Sequence, residues 1–268
     1  MKFFTVNDLN AGYGKQEILS HLSFEINASE TTGILGANGS GKTTLLKTIC
    51  GILPHTGTCR LEGEILENKS PKQLAKLCSY IPQRSGISID ISVLDTVLMG
   101  FYPYLSFLEH PSMEMKEKAM ELIHLVGLSG KENTNYLHLS EGQKQLCILA
   151  RTLVTNSKLL LLDEPESALD FHYRYQMLEL IQKWNKKTSS ASLISLHDPM
   201  LALNCCDRLF LLSEGHIAST ISPLTDSLTG MEEKLSKLYR DISLHYCTNK
   251  KNQRQLVMLK ENLFESTY

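Results

Sequence analysis

The stretch TTGILGANGSGKTTLLKTICGIL, residues 31–53, decides the fold. It reads as an apolar strand, a glycine loop and a helix. Within it, Gly36-Ala37-Asn38-Gly39-Ser40-Gly41-Lys42-Thr43 fits the pattern G-x-x-x-x-G-K-[ST]. Glycines let successive backbone N–H groups turn inward around phosphate oxygens, and the following helix adds its positive N-terminal end. Lys42 is placed to reach β- and γ-phosphates, and the Thr43 hydroxyl to bind Mg²⁺. Gly36, Asn38, Gly39, Ser40, Gly41, Lys42, Thr43 and Thr44 therefore form the candidate phosphate-binding set.

On the N-terminal side, alternating patterns at Phe3–Leu9 and Ile18–Ile26, with TCRLEGEIL at 58–66, predict an antiparallel β layer. From Arg84 to Leu139 the pattern turns helical, through ISVLDTVLM and SMEMKEKAMELIHLVGL. After Gly142, helices alternate with short, wholly apolar runs: LLLLDEP, SLISLH and RLFLLSEG. Strands apolar on both faces belong to a parallel sheet covered by helices. The expected class is α/β: a P-loop NTPase core with a mainly parallel sheet, an N-terminal antiparallel layer and an inserted helical sub-domain. The expected division is an ATPase domain over 1–225, its helical sub-domain at about 84–145, and an extension over 226–268 packed on the core. A helix, MEEKLSKLY, and a hairpin, SLHYC against QLVML, are expected in that extension.

An apolar strand ending in two carboxylates places Asp163 and Glu164 at the sheet's carboxyl edge, where α/β ligands sit. Alone, LLLLDEP could be a solvated acidic turn; beside the glycine loop, Asp163 suits a metal ligand and Glu164 a base for water. His197 follows the next apolar strand. Asp198-Pro199 makes an ordinary helix start there, yet the same edge lets the imidazole touch a γ-phosphate and hold Glu164. Tyr13, between glycines in AGYGK, can stack on adenine or serve as a turn aromatic. Gln83, in SYIPQ, is either a polar loop residue or an amide that joins a Mg²⁺ shell.

Composition narrows the function classes. Across 268 residues, 42% are apolar, enough for a sizeable core. With 27 basic and 29 acidic side chains, net charge is −2, so no nucleic-acid partner is expected. No apolar run approaches the roughly eighteen residues of a membrane span. MKFFTVNDLN turns polar too early for a signal peptide. Seven scattered cysteines without C-x-x-C spacing suggest reduced thiols and a cytoplasmic setting.

LSEGQ, at 139–143, is a second glycine-containing helix start, with Ser140 and Gln143 spaced for a capping box. A cap alone would explain it. Together the motifs resemble an ATP-binding subunit of an ABC transporter, over nearly the whole chain. In order they are an aromatic loop (Tyr13), Walker A (36–43), Q-loop (Gln83), signature (139–143), Walker B (159–164), D-loop SALD (167–170) and switch histidine (His197). The stretches ISVLDTVLMGFYPYL, LDFHYRYQMLELI, HDPMLALNCCDRLFLLSEGHIA and LTGMEEKLSKLYRDISLHYC are similar to importers of ferric siderophores, haem and cobalamin.

That resemblance implies ATP and Mg²⁺ as ligands, with Thr43, Gln83 and Asp163 on the metal and Lys42, Gln83, Glu164 and His197 in catalysis. It implies a head-to-tail homodimer, in which Ser140, Gly142, Gln143 and Asp170 of one copy complete the other's nucleotide site. It also implies two membrane permease subunits, a substrate-binding protein, and a peripheral position at the cytoplasmic face of the membrane. A zinc or manganese importer and an exporter are the nearest alternatives. A soluble ABC ATPase usually carries two cores or long coiled coils, and a P-loop kinase or GTPase needs neither LSEGQ nor a switch histidine. Three positions depart from the family pattern: Glu141 for glycine, Glu166 for threonine, and Phe101 for arginine. Glu141 is expected to turn outward, away from a partner's γ-phosphate.

Overall fold

Period-two burial builds the central sheet. Leu160 and Leu162 of β7 (Leu159–Asp163) pack into one core, and Leu159 and Leu161 into another. All four are buried, so the strand is covered on both faces, as a parallel strand must be. The computed structural model describes residues 2–83, 86–167 and 169–262. The expected sub-domain start at 84, Ala168 of SALD and the last six residues of the extension lie outside them.

The N-terminal layer is a four-stranded antiparallel sheet. It contains β1 (Phe4–Tyr13), β2 (Gln16–Ile26), β4 (His55–Leu61) and β5 (Glu64–Ile65), ordered β2-β1-β4-β5. TCRLEGEIL supplies the end of β4 and all of β5, and between them Glu62 and Gly63 both take positive φ and turn the chain. Between β2 and β4 lie β3 (Thr31–Leu35) and α1 (Lys42–Ile49).

A six-stranded sheet forms the centre, ordered β10-β9-β3-β8-β7-β6. Its further strands are β6 (Cys78–Ile81), β8 (Ala191–Ser195), β9 (Arg208–Ser213) and β10 (His216–Ile221). All neighbours are parallel except β10, an antiparallel edge that returns from β9 through the turn at Glu214 and Gly215. Before β6 comes α2 (Pro71–Leu77), capped by a Ser70/Gln73 box.

The helical insert contains α3 (Val93–Leu98), α4 (Met113–Leu125) and the start of α5 (Glu141–Val154). Val93, Val97, Ala119, Leu122, Ile123 and Leu146 fill its core. Between β7 and β8 comes α6 (Phe171–Thr188), and after β8 comes α7 (Pro199–Cys205), which packs on β3. The tail forms α8 (Leu228–Leu235) and the hairpin of β11 (Ile242–Thr248) and β12 (Arg254–Lys260). The helix starts three residues before MEEKLSKLY, since the Ser227 side chain caps it at Gly230. No described helix is long and apolar enough to cross a membrane.

One buried polar residue ties the helices to the sheet edge. Asn185 of α6 is fully buried and donates to Thr31 Oγ1 (3.0 Å) and Ser192 Oγ (2.8 Å). Its oxygen accepts from Ser190 Oγ (3.1 Å). Asn185→Ala strands these hydroxyls, and we expect a loss of about 2–4 kcal/mol in urea unfolding.

Candidate active site

The glycine loop is shaped by backbone geometry that side chains would obstruct. Gly39 and Gly41 take φ of 80° and 105°. A Cβ at Gly36 would lie 2.4 Å from the Leu212 carbonyl oxygen. Helix α1 begins at Lys42, and Gly41 offers no side-chain cap to its first N–H groups. Ser40 Oγ is buried and has no hydrogen-bond partner among the described residues. Such a loop is built to receive phosphate oxygens.

Lys42 Nζ donates to the carbonyls of Gly36 (2.8 Å) and Ala37 (3.3 Å) and lies 3.9 Å from Glu164 Oε1. Burial pulls its pKa down, and Glu164 and Asp163 oppose that fall. Asp163, at the end of β7, is held by three hydroxyls. Thr43 Oγ1 (3.0 Å) and Ser195 Oγ (2.8 Å) donate to Oδ1, and Tyr80 OH (3.2 Å) donates to Oδ2. Burial, reinforced by Asp163, pushes the Tyr80 phenol up and keeps it a donor.

Glu164 is a non-glycine residue at φ 49°, a strained backbone of the kind that collects at functional sites. Its N–H donates to Ser195 Oγ (2.9 Å). Its Oε2 accepts from Gln83 Nε2 (2.7 Å) and lies 2.7 Å from His197 Nε2. Gln83 therefore meets Glu164 through its amide nitrogen, while its amide oxygen is the atom that could reach a cation. A cleft of about 430 Å³ gathers Asn38, Gly39, Gly41, Lys42, Thr43, Thr44, Gln83, Glu164 and His197.

Tyr13, Ser140, Gly142, Gln143 and Asp170 are not among the residues that line that cleft. Tyr13 is half exposed at the end of β1. Ser140 and Gln143 form a complete capping box at the start of α5. The Asp170 side chain caps α6, accepting from Tyr173 N–H (3.2 Å). A Cβ at Gly142 would lie 3.1 Å from the Tyr173 ring, so this glycine lets α6 pack on the signature helix. Glu141 turns to its own helix, where Oε1 accepts from Lys144 Nζ (2.8 Å), with the carboxylate largely exposed.

Sequence reasoning missed Tyr80 and Ser195, which lie in SYIPQ and SLISLH and donate to Asp163. It flagged Glu166 only as a departure. That side chain is buried, with Oε1 accepting from the His197 backbone N–H (2.9 Å).

A phosphate loop facing a strand that ends Asp-Glu, with a histidine beside that Glu, is the constellation of an ATP-hydrolysing cassette. The ABC transporter family matches residues 19–167. The chain is an ABC transporter ATPase. It is 35% identical over 223 residues to the hemin import ATP-binding protein HmuV of Deinococcus radiodurans, covering 81% of this chain and 84% of that protein. It is 35% identical over 212 residues to a probable iron chelatin transport ATP-binding protein of Helicobacter pylori, covering 78% and 83%. Its structure resembles that of a transporter described as metal-chelate type, in an inward-facing conformation. There the TM-score is 0.82 at 25% identity, covering 98% of this chain and all of that one.

Two outcomes follow for this ATPase. Burial raises the Glu166 pKa above its usual 4.5, against the His197 amide and its own, with Glu164 nearby. His197, Glu164, Lys42 and Cys206 are the titratable groups that face it. A raised folded pKa means the native state holds a proton that the unfolded chain releases. Stability from Glu166 is thus lost as pH climbs from about 4.5 through the folded value. Glu166→Gln removes this loss, so its melting temperature relative to wild type should rise as pH climbs above about 4.5. Glu141→Gly should shift the ATP concentration for half-maximal turnover less than threefold, because an exposed pair on one helix is worth about 0.3–0.5 kcal/mol. A tenfold gain that fades with salt would place the carboxylate against nucleotide.

Proposed function

We propose that this ATPase powers a membrane importer of an iron-siderophore, haem or cobalamin. Two copies, packed head to tail at the cytoplasmic face, act on two permease subunits that receive cargo from a substrate-binding protein. The names of the hemin and iron chelatin relatives support the cargo class. Exposed apolar side chains in and beside the helical insert, Ile89, Tyr102, Phe107 and Leu108, support a permease-docking surface there. We assign residues 1–225 to the ATPase domain, with the helical sub-domain at about 84–145, and 226–268 to the extension.

One observation carries the chemistry: the Glu164 carboxylate is held between Gln83 and His197, with Lys42 at 3.9 Å. In that arrangement Glu164 accepts the proton as water attacks the γ-phosphorus. His197 keeps the carboxylate in place and touches the γ-phosphate. Lys42 offsets charge on the β- and γ-oxygens, and the glycine loop with Thr44 holds the phosphate chain. Tyr13 stacks on adenine. Ser140, Gly142, Gln143 and Asp170 act on the partner's ATP, which makes the two sites reciprocal by two-fold symmetry.

The hydroxyl and carboxylate oxygens of Thr43 and Asp163, 3.0 Å apart, form a hard-oxygen set that suits Mg²⁺. Thr43, Asp163 and Gln83 would hold it. Bound there, Mg²⁺ supplies charge neutralisation to the β- and γ-phosphates.

Glu164→Gln tests the assignment. The amide keeps the shape but accepts no proton, so turnover should fall by about 10²–10⁴-fold while ATP still binds. The ATP-bound dimer should then accumulate on size exclusion, best seen in the assembled transporter. Wild-type turnover in this variant would remove the role. For cargo, the transporter reconstituted with its permease subunits should hydrolyse ATP faster when its binding protein carries a ferric chelate, haem or cobalamin. Stimulation by zinc or manganese instead would redirect the cargo assignment.

A further inference from the structure

The turn after β7 carries a second carboxyl whose position calls for an explanation. Strands β7 and β8 run parallel, with Asp163 level with Ser195. Left-handed backbone at Glu164 then takes the chain out of the ladder. Beyond Ser195, the Leu196 N–H still donates to the Ile34 carbonyl of β3, but on the β7 side an unpaired N–H at His197 would be costly. The Glu166 side chain fills that place: its Oε1 accepts from the His197 N–H at 2.9 Å.

Glu166 is 2% exposed, and its Oε2 has no hydrogen-bond partner among the described residues. Burying a carboxyl for a single bond is expensive. Two backbone bonds tie the residues around it: Ser167 N–H donates to the Glu164 carbonyl and Leu169 N–H to the Glu166 carbonyl. One turn therefore grips one residue at both ends. Glu166 takes the backbone amide of His197, and Glu164 meets its imidazole at 2.7 Å.

We propose that Glu166 is a positioning residue for hydrolysis, fixing the His197 backbone so that its imidazole reaches Glu164. The proposal rests on the roles assigned above to His197 and Glu164. A displacement of the amide by about 1 Å would carry Nε2 out of hydrogen-bond range of the carboxylate. Leucine at 166 keeps the apolar bulk and removes the acceptor, whereas glutamine keeps a carbonyl oxygen at the same reach.

The test uses the full chain, with steady-state turnover, ATP affinity by calorimetry and melting temperature measured for each variant. Glu166→Leu should lower kcat at least tenfold while ATP affinity stays within threefold. Glu166→Gln should recover most of that loss. In a His197→Ala background, Glu166→Leu should lower kcat no more than a further twofold, because its effect passes through the histidine. Should the leucine variant fail to fold, Glu166→Ala supplies the same comparison. Turnover in Glu166→Leu above half of wild type overturns the proposal, as does equal loss in the glutamine variant. So does a further tenfold loss on top of His197→Ala. If His197→Ala alone leaves kcat unchanged, the histidine's assigned role fails and this proposal with it. If only the Glu166 variants behave as wild type, the histidine's role stands and this proposal fails alone.

Discussion

Strand β7 ends where the chain swings into left-handed backbone at Glu164, and that swing separates the tasks of two adjacent acids. Asp163 stays in line with the strand and meets Thr43, Ser195 and Tyr80. Glu164 turns toward Gln83, His197 and Lys42. Without the swing, period two would send the two side chains to opposite faces of the sheet. The strain costs about 1–3 kcal/mol and persists because neighbours over-determine it. Ser195 accepts the Glu164 N–H at both its hydroxyl and its carbonyl oxygen, locking the turn to β8. The partners come from α1, β6, β8 and the links that follow β6 and β8. Site geometry is therefore a property of the parallel sheet.

The signature helix obeys a different logic. Among the described residues, the Ser140 and Gln143 side chains serve only their mutual cap. Gly142 has an internal reason to exist, the Tyr173 ring that a side chain would crowd. That contact joins the first turn of α6, capped by Asp170, to the first turn of α5. Two segments distant in sequence thus meet at one surface. Glu141, a departure from the family pattern in that surface, is paired one turn along with Lys144.

Much of this was legible because the signals are local. Glycine spacing, apolar runs ending in Asp-Glu or His, and Ser-x-x-Gln caps each depend on a few neighbouring residues, and the sheet class followed from strands apolar on both faces. What escaped reading depends on register between strands. Tyr80 and Ser195 look like ordinary strand residues until β6 and β8 are set on either side of β7. Glu166 is polar by sequence and buried in fact, since only the turn at Glu164 brings it under the next strand's end. The early start of α8 was a cap present in the sequence at Ser227 but overlooked.

His197 sits between two elements that are each fixed by something else. Before it, β8 is held in the middle of the sheet by β3 and β7. After it, Asp198 caps α7 by accepting from the N–H groups of Met200 and Leu201. The far end of α7 is clipped to the tail: Asn204 donates to the Leu256 carbonyl and accepts its N–H, both at 2.9 Å. That paired bond imitates a strand neighbour for β12 and denies α7 freedom to slide. Movement of the histidine must then be absorbed by the short link from Leu196 to Asp198. Within that link, the backbone N–H of His197 is held by a side chain from the turn that also carries Glu164. The position of the imidazole is therefore set by the same few residues that set the carboxylate it touches.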